Sequence, residues 1–185
     1  MKTEFPNRRA RAWRGAGVVA CAILPIAGVA GLAMSLPQPA FLWNATPSEP
    51  IGLYVRSRAK PETGTVIAFR APAGAFPYAD ARMGYLRRIP ILKAVAAGEG
   101  DRVCTAGGVL TINNLWRGPV QSFDSRGVAL PAWRGCRALA PGEFFVFSAA
   151  VPNSFDSRYY GPVKRGAIVG VYRPLIVDAH ATRRA

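Results

Sequence analysis

From Gly15 to Ser48 not one side chain of this 185-residue chain is charged, and within that run residues 17–36 are almost continuously apolar. A twenty-residue apolar segment, rising ~1.5 Å per residue as a helix, spans ~30 Å, the thickness of a bilayer's hydrocarbon core. Pro25, Gly28 and Gly31 weaken a helix in water but are tolerated in lipid, where the backbone has no better option. Residues 15–37 therefore read as a single transmembrane anchor. The rival reading is a cleaved signal peptide, because Gly31-Leu32-Ala33 places small residues near a suitable position. Its apolar core is ordinarily only ~7–15 residues long.

The flanks orient the anchor. Lys2, Arg8, Arg9, Arg11 and Arg14 stand upstream against a single acid, Glu4, and such a bias keeps a terminus in the cytoplasm. Downstream, Phe41 and Trp43 suit an interfacial aromatic position. The organisation expected is a basic cytoplasmic segment over 1–14, the anchor over 15–37, a periplasmic domain over 38–178 and a tail over 179–185. That places the protein in the inner membrane as a single-pass, N-in chain.

The net charge is +14, and residues 37 onward still carry 19 Lys and Arg against 9 Asp and Glu. A basic domain tethered beside a bilayer is drawn to anionic head groups, so the membrane is an expected partner. Nucleic acid is not, because the arginines are scattered, with no basic helix and no aromatic–basic interleaving. Of three cysteines, Cys21 falls inside the apolar span, where it acts as a small hydrophobe. Cys104 and Cys136 lie in the exported part, where disulfides persist. As the only exported pair, they are expected to bridge. A single histidine leaves too few ligands for a zinc site, and no cofactor or metal is implied.

Beyond the anchor, short runs rich in Val, Ile, Phe and Tyr are bounded by Gly, Pro, Asn or Asp. They predict strands over 52–56, 65–69, 91–96, 109–112, 144–147 and 167–172. One weakly helical stretch is expected at 78–88. The 16 Pro and 19 Gly argue against a helical bundle, and the expected fold is mainly β and barrel-like.

The chemistry is constrained by what is scarce. The only histidine, His180, stands near the C-terminus, so a Ser–His–Asp protease lacks a credible base. Lysine is the recognised alternative base for a serine nucleophile. Pro47 and Pro50 rigidify a turn around Ser48, and Gly52 allows close backbone approach. In strand geometry Ile91, Lys93 and Val95 share one face. A lysine among apolar neighbours loses proton affinity by desolvation, as a base working near neutrality must. Alone, Ser48 also reads as a turn residue, and Lys93 as an edge gatekeeper or a snorkelling side chain. Their conjunction behind an export anchor points to a Ser–Lys hydrolase.

Three runs carry a family resemblance. They are Asn-x-Thr-x-Ser-x-Pro-x-Gly-x-Tyr at 44–54, Leu-Lys-x-Val-Ala-Ala-x-x-Gly-Asp at 92–101, and Asn-Ser-Phe-Asp-Ser-Arg-Tyr-Tyr-Gly-Pro at 153–162. With the cysteine pair and the N-terminal span, the chain resembles the type I signal peptidases, and most closely the TraF-type conjugative-transfer peptidases that mature pilin subunits. The resemblance implies a signal-peptidase-like β fold, with Ser48 as nucleophile and Lys93 as general base. It implies that the Ser48 amide and the Thr46 hydroxyl serve the oxyanion. It makes Asp156 a third participant, the alternative for that residue being an ion pair with Arg158 or a turn cap. Ser154 is expected to orient the Lys93 amine.

The implied substrate is a pilin or other membrane-embedded precursor with small side chains beside the scissile bond. Release is by water, or by the substrate's own amine to give a cyclic product. Pro50 stands two residues after Ser48 rather than three, which favours the TraF branch over a general signal peptidase. Ala94 after Lys93, and Gly98-Glu99-Gly100-Asp101 in place of Leu-Pro-Gly-Asp, also depart from the common pattern without removing the base. The alternatives are a general type I signal peptidase and, from outside enzymology, an anchored β scaffold of a secretion apparatus.

Overall fold

The computed structural model describes residues 38–178, so the expected 1–14 segment, the 15–37 anchor with Cys21, and the 179–185 tail with His180 lie outside the described residues. Among the described residues no helix is long and apolar enough to cross a membrane. The chain divides into units Met1–Ala40 and Phe41–Ala185, and every element below belongs to the second.

Among the described residues eleven strands form two open sheets. The larger is built from β1 (Phe41–Asn44), β2 (Ile51–Ser57), β3 (Val66–Phe69), β4 (Ile91–Ala97), β9 (Glu143–Val146), β10 (Val163–Lys164) and β11 (Ile168–Asp178). Their order is β1-β2-β11-β3-β4-β9-β10. The smaller sheet, β7-β6-β5-β8, comprises β5 (Arg102–Cys104), β6 (Val109–Ile112), β7 (Leu115–Pro119) and β8 (Cys136–Ala138). The mainly β expectation is borne out. The barrel is not: the four-residue β1 and the two-residue β10 stand at opposite edges of the larger sheet and do not pair.

Apolar side chains on alternate strand positions make the core. Ile67 and Phe69 of β3, Ile91 and Val95 of β4, Phe144 and Val146 of β9 and Val171 of β11 pack together as one buried cluster. A second cluster joins the sheets, with Ala97 and Phe145 meeting Val103, Leu110 and Ile112. The β4–β5 turn is closed by Asp101, whose carboxylate accepts from the Gly98 amide and the Asn113 side chain, each at 2.8 Å. Asn113 and Asn114, both at positive φ, make the tight turn of the β6–β7 hairpin. Cys104 and Cys136 face each other across β5 and β8 and are disulfide-bonded, as expected.

The helical stretch at 78–88 breaks in two: α1 (Tyr78–Arg82) and a 3-10 turn at Gly84–Arg87. The break falls at Met83, whose backbone leaves the helical region at φ −142°, ψ 48° and flanks both pieces. A second short helix, α2 (Ser157–Tyr160), is capped by the Asp156 carboxylate, which accepts the Arg158 amide at 3.2 Å.

Candidate active site

Ser48 sits in the turn between β1 and β2, and four separate groups hold that turn. Asn44, the last residue of β1, donates from Nδ2 to the carbonyls of Thr46, Glu49 and Pro50 at 2.9–3.1 Å. Its Oδ1 accepts the Thr46 amide and hydroxyl. The Tyr54 hydroxyl of β2 donates to the Pro50 carbonyl at 2.8 Å. The Ser148 hydroxyl, just beyond β9, donates to the Ser48 carbonyl at 2.7 Å. Glu49 Oε1 accepts the Ala94 amide of β4 at 2.7 Å. A turn tied to β1, β2, β4 and the end of β9 keeps the Ser48 backbone in one place.

Lys93 lies mid-strand on β4, between Ile91 and Val95 on the same face, and is 4% exposed. Its Nζ donates to Ser154 Oγ at 2.5 Å. Burial, the dominant cause, pulls its pKa from 10.5 down to about 8; Asp156 and Glu49 oppose that fall and Arg158 adds to it.

Ser48, Lys93, Thr46 and Ser154 line one cleft of about 550 Å³. Its remaining wall includes Leu42, Met83, Tyr85, Ile89, Val151 and Phe155. Among the described residues Lys93 is the only charged group in that wall. A cleft so lined is mostly apolar, and its walls leave the Lys93 side chain little contact with water.

The expected participants take up different posts. Thr46 Oγ1 stands 3.3 Å from Ser48 Oγ and 3.1 Å from Asn44 Oδ1. A hydroxyl has one proton; with it directed at Asn44, Ser48 donates to Thr46, and the proton must turn to serve an oxyanion. Asp156 is fully buried in a two-pronged ion pair with Arg158, Nε–Oδ1 2.8 Å and Nη2–Oδ2 2.9 Å. It also accepts the Ser148 amide at 3.4 Å. Arg158 in turn donates to the carbonyls of Ser154 at 3.0 Å and Pro119 at 2.7 Å. Both structural alternatives for Asp156, ion pair and cap, are thus present together.

Sequence reasoning overlooks Glu49 and Ser148. Their partners stand 45 and 100 positions away, and no local pattern announces such contacts. Asn44 was available as a signal, since an Asn preceding a turn commonly hydrogen-bonds the backbone that follows it.

The family model of signal peptidase, peptidase S26, matches residues 13–176. The chain belongs to the peptidase S26 signal peptidase family. Membership implies a serine peptidase, and the chain's relatives narrow its branch. It is 30% identical over 169 residues to the "Conjugal transfer protein TraF" of Agrobacterium fabrum strain C58, covering 83% of this chain and 95% of that one. It is 33% identical over 144 residues to the "Plasmid transfer protein TraF" of Escherichia coli, covering 72% and 81%. A signal peptidase I crystal structure from Enterococcus faecalis V583 is 23% identical with a TM-score of 0.38, over 62% of this chain and 98% of that one.

Proposed function

We propose that this signal peptidase is a membrane-anchored Ser–Lys endopeptidase that matures a pilin precursor for conjugative transfer. The observation that carries the reading is that Ser48 and a buried lysine of lowered proton affinity line the same otherwise uncharged cleft. The conjugal and plasmid transfer relatives support the process.

In the proposed mechanism the neutral Lys93 amine donates one N–H to Ser154 Oγ, which leaves its lone pair for the Ser48 proton. Ser48 Oγ attacks the scissile carbonyl as Lys93 takes that proton. The Ser48 amide and the Thr46 hydroxyl hold the oxyanion; such a donor is worth ~3–4 kcal/mol in the transition state. Lys93 then returns the proton to the leaving amine as the C–N bond breaks, giving an acyl-enzyme on Ser48. Water, or the N-terminal amine of the same substrate, attacks the ester; its proton passes through Lys93 to Ser48 Oγ. Asp156 acts at one remove, through its charge on Lys93 and by fixing Arg158, which holds the Ser154 backbone.

A bilayer-facing placement of the domain is supported by a cross-strand row. Trp43, Leu53 and Ile176 are in register across β1, β2 and β11, with Trp43 66% and Ile176 71% exposed. Trp43 also lines the cleft, so the site lies at one end of this apolar row. Mass spectrometry of a co-expressed pilin precursor tests the function. Wild type should yield the trimmed product and Ser48→Ala the intact precursor. A product ~18 Da lighter than the linear form identifies cyclisation, since closing a peptide bond expels one water. Processing of unrelated secretory precursors at equal rates would instead assign a general signal peptidase. Pilus assembly and maturation undiminished by Ser48→Ala would leave a scaffold.

A further inference from the structure

The residue after the nucleophile is a buried carboxylate. Glu49 is 9% exposed, and its Oε1 accepts the amide of Ala94, the residue after Lys93, at 2.7 Å. The Ala94 carbonyl accepts Phe147 N–H on the β9 side, at 3.4 Å. In an extended strand a residue's N–H and C=O point to the same neighbour, so the Ala94 amide also faces that side, where β9 has ended at Val146. Glu49 thus takes the place of a missing strand partner. One hydrogen bond joins the neighbour of Ser48 to the neighbour of Lys93.

We propose that Glu49 is a positioning residue for the dyad, its carboxylate fixing the Ser48 turn against the strand that carries Lys93. The inference rests on the Ser48–Lys93 reading above. A carboxylate accepting a charge-assisted bond from an amide is a stronger tether than a neutral acceptor. Displacement of a reacting group by ~1 Å costs ~100-fold in rate, so the tether acts on turnover more than on substrate binding.

The same carboxylate acts on Lys93 through space. Asp156 and Arg158 face Lys93 from the α2 segment, and Glu49 faces it from the nucleophile turn. Glu49 is itself faced by Lys93 and by the Tyr54 hydroxyl. Burial raises the Glu49 pKa, while the Ala94 amide and Lys93 restrain the rise. Once ionised, Glu49 favours the charged form of Lys93.

Glu49→Gln keeps an acceptor for Ala94 and removes the charge; Glu49→Ala removes both. Steady-state cleavage of a precursor peptide should show Glu49→Ala with kcat down ~10–100-fold and KM nearly unchanged. Glu49→Gln should keep kcat within about threefold at its optimum, with the acidic limb of kcat/KM displaced to lower pH. If Glu49→Ala does not fold, the Gln profile decides, because Gln matches Glu in shape and removes the charge without altering the burial of Lys93. A folded Glu49→Ala with wild-type kcat overturns the proposal, and so does Glu49→Gln with an unmoved acidic limb. A Ser48→Ala control separates the two levels. Full activity in that control sinks the dyad itself; loss there beside a wild-type Glu49→Ala sinks only the role of Glu49.

Discussion

Lys93 Nζ donates to Ser154 Oγ at 2.5 Å although the two residues stand 61 positions apart. The bond joins the centre of β4 to the segment leading into α2.

The first prediction concerns pH. In the proposed mechanism Lys93 acts as the neutral amine, and its pKa is lowered to about 8. Peptide cleavage should therefore fall about tenfold for each unit below that midpoint and level off above it. Measuring kcat/KM from pH 6 to 10 checks this. Ser154→Ala, which removes the orienting acceptor, should lower kcat ~10–100-fold.

Lys93 also makes a stability prediction. Its folded pKa of about 8 lies below the ~10.4 of an unfolded lysine, so the unfolded state binds more protons between those values. Stability should then rise with pH across that window, and the burial cost is fully present below it. Lys93→Met should be inactive yet up to about 3 kcal/mol more stable at pH 7. The gain should vanish above pH ~10.4. Urea titrations at pH 7 and pH 10.5 measure both ends.

Asp156 and Arg158 are each fully buried. Asp156→Ala strands an unpaired guanidinium and should cost about 3–5 kcal/mol. Replacing both by apolar residues should cost much less, because no charge remains to be buried. A double-mutant cycle in thermal unfolding distinguishes a pair that stabilises from a carboxylate whose role is purely chemical.

The Cys104–Cys136 disulfide closes a 32-residue separation and should contribute about 3.5–4 kcal/mol in the chain-entropy model. Replacing both cysteines by Ala, with denaturant unfolding as the readout, tests that figure. Activity of the folded double variant should be retained, since the disulfide belongs to the smaller sheet and the dyad to the larger.

Much of this was legible in the sequence where a strand is both long enough and buried on one face. The 109–112 run is β6, and 91–96 is β4 one residue short, because their apolar residues fall at core positions. β8 has no such signature: Cys136, Arg137 and Ala138 are all exposed, and pairing with β5 defines the strand. β1 reads as an interfacial stretch because Phe41 and Trp43 follow the anchor, yet both lie in a strand paired with β2. β11 runs on past residue 172 through Pro174 by means of a register shift, the setting in which a strand tolerates proline. At the site, Ser48, Lys93 and Ser154 are visible as family-like motifs. Glu49 and Ser148 are not, since they act on backbone groups that only the fold brings within reach.

Intact-mass analysis of the enzyme mixed with a precursor peptide tests the central claim most directly. An acyl adduct should accumulate on wild type and map to Ser48, and Lys93→Ala should form none at neutral pH. An adduct mapped to another residue, or Ser48→Ala cleaving the peptide at the wild-type rate, would contradict the account.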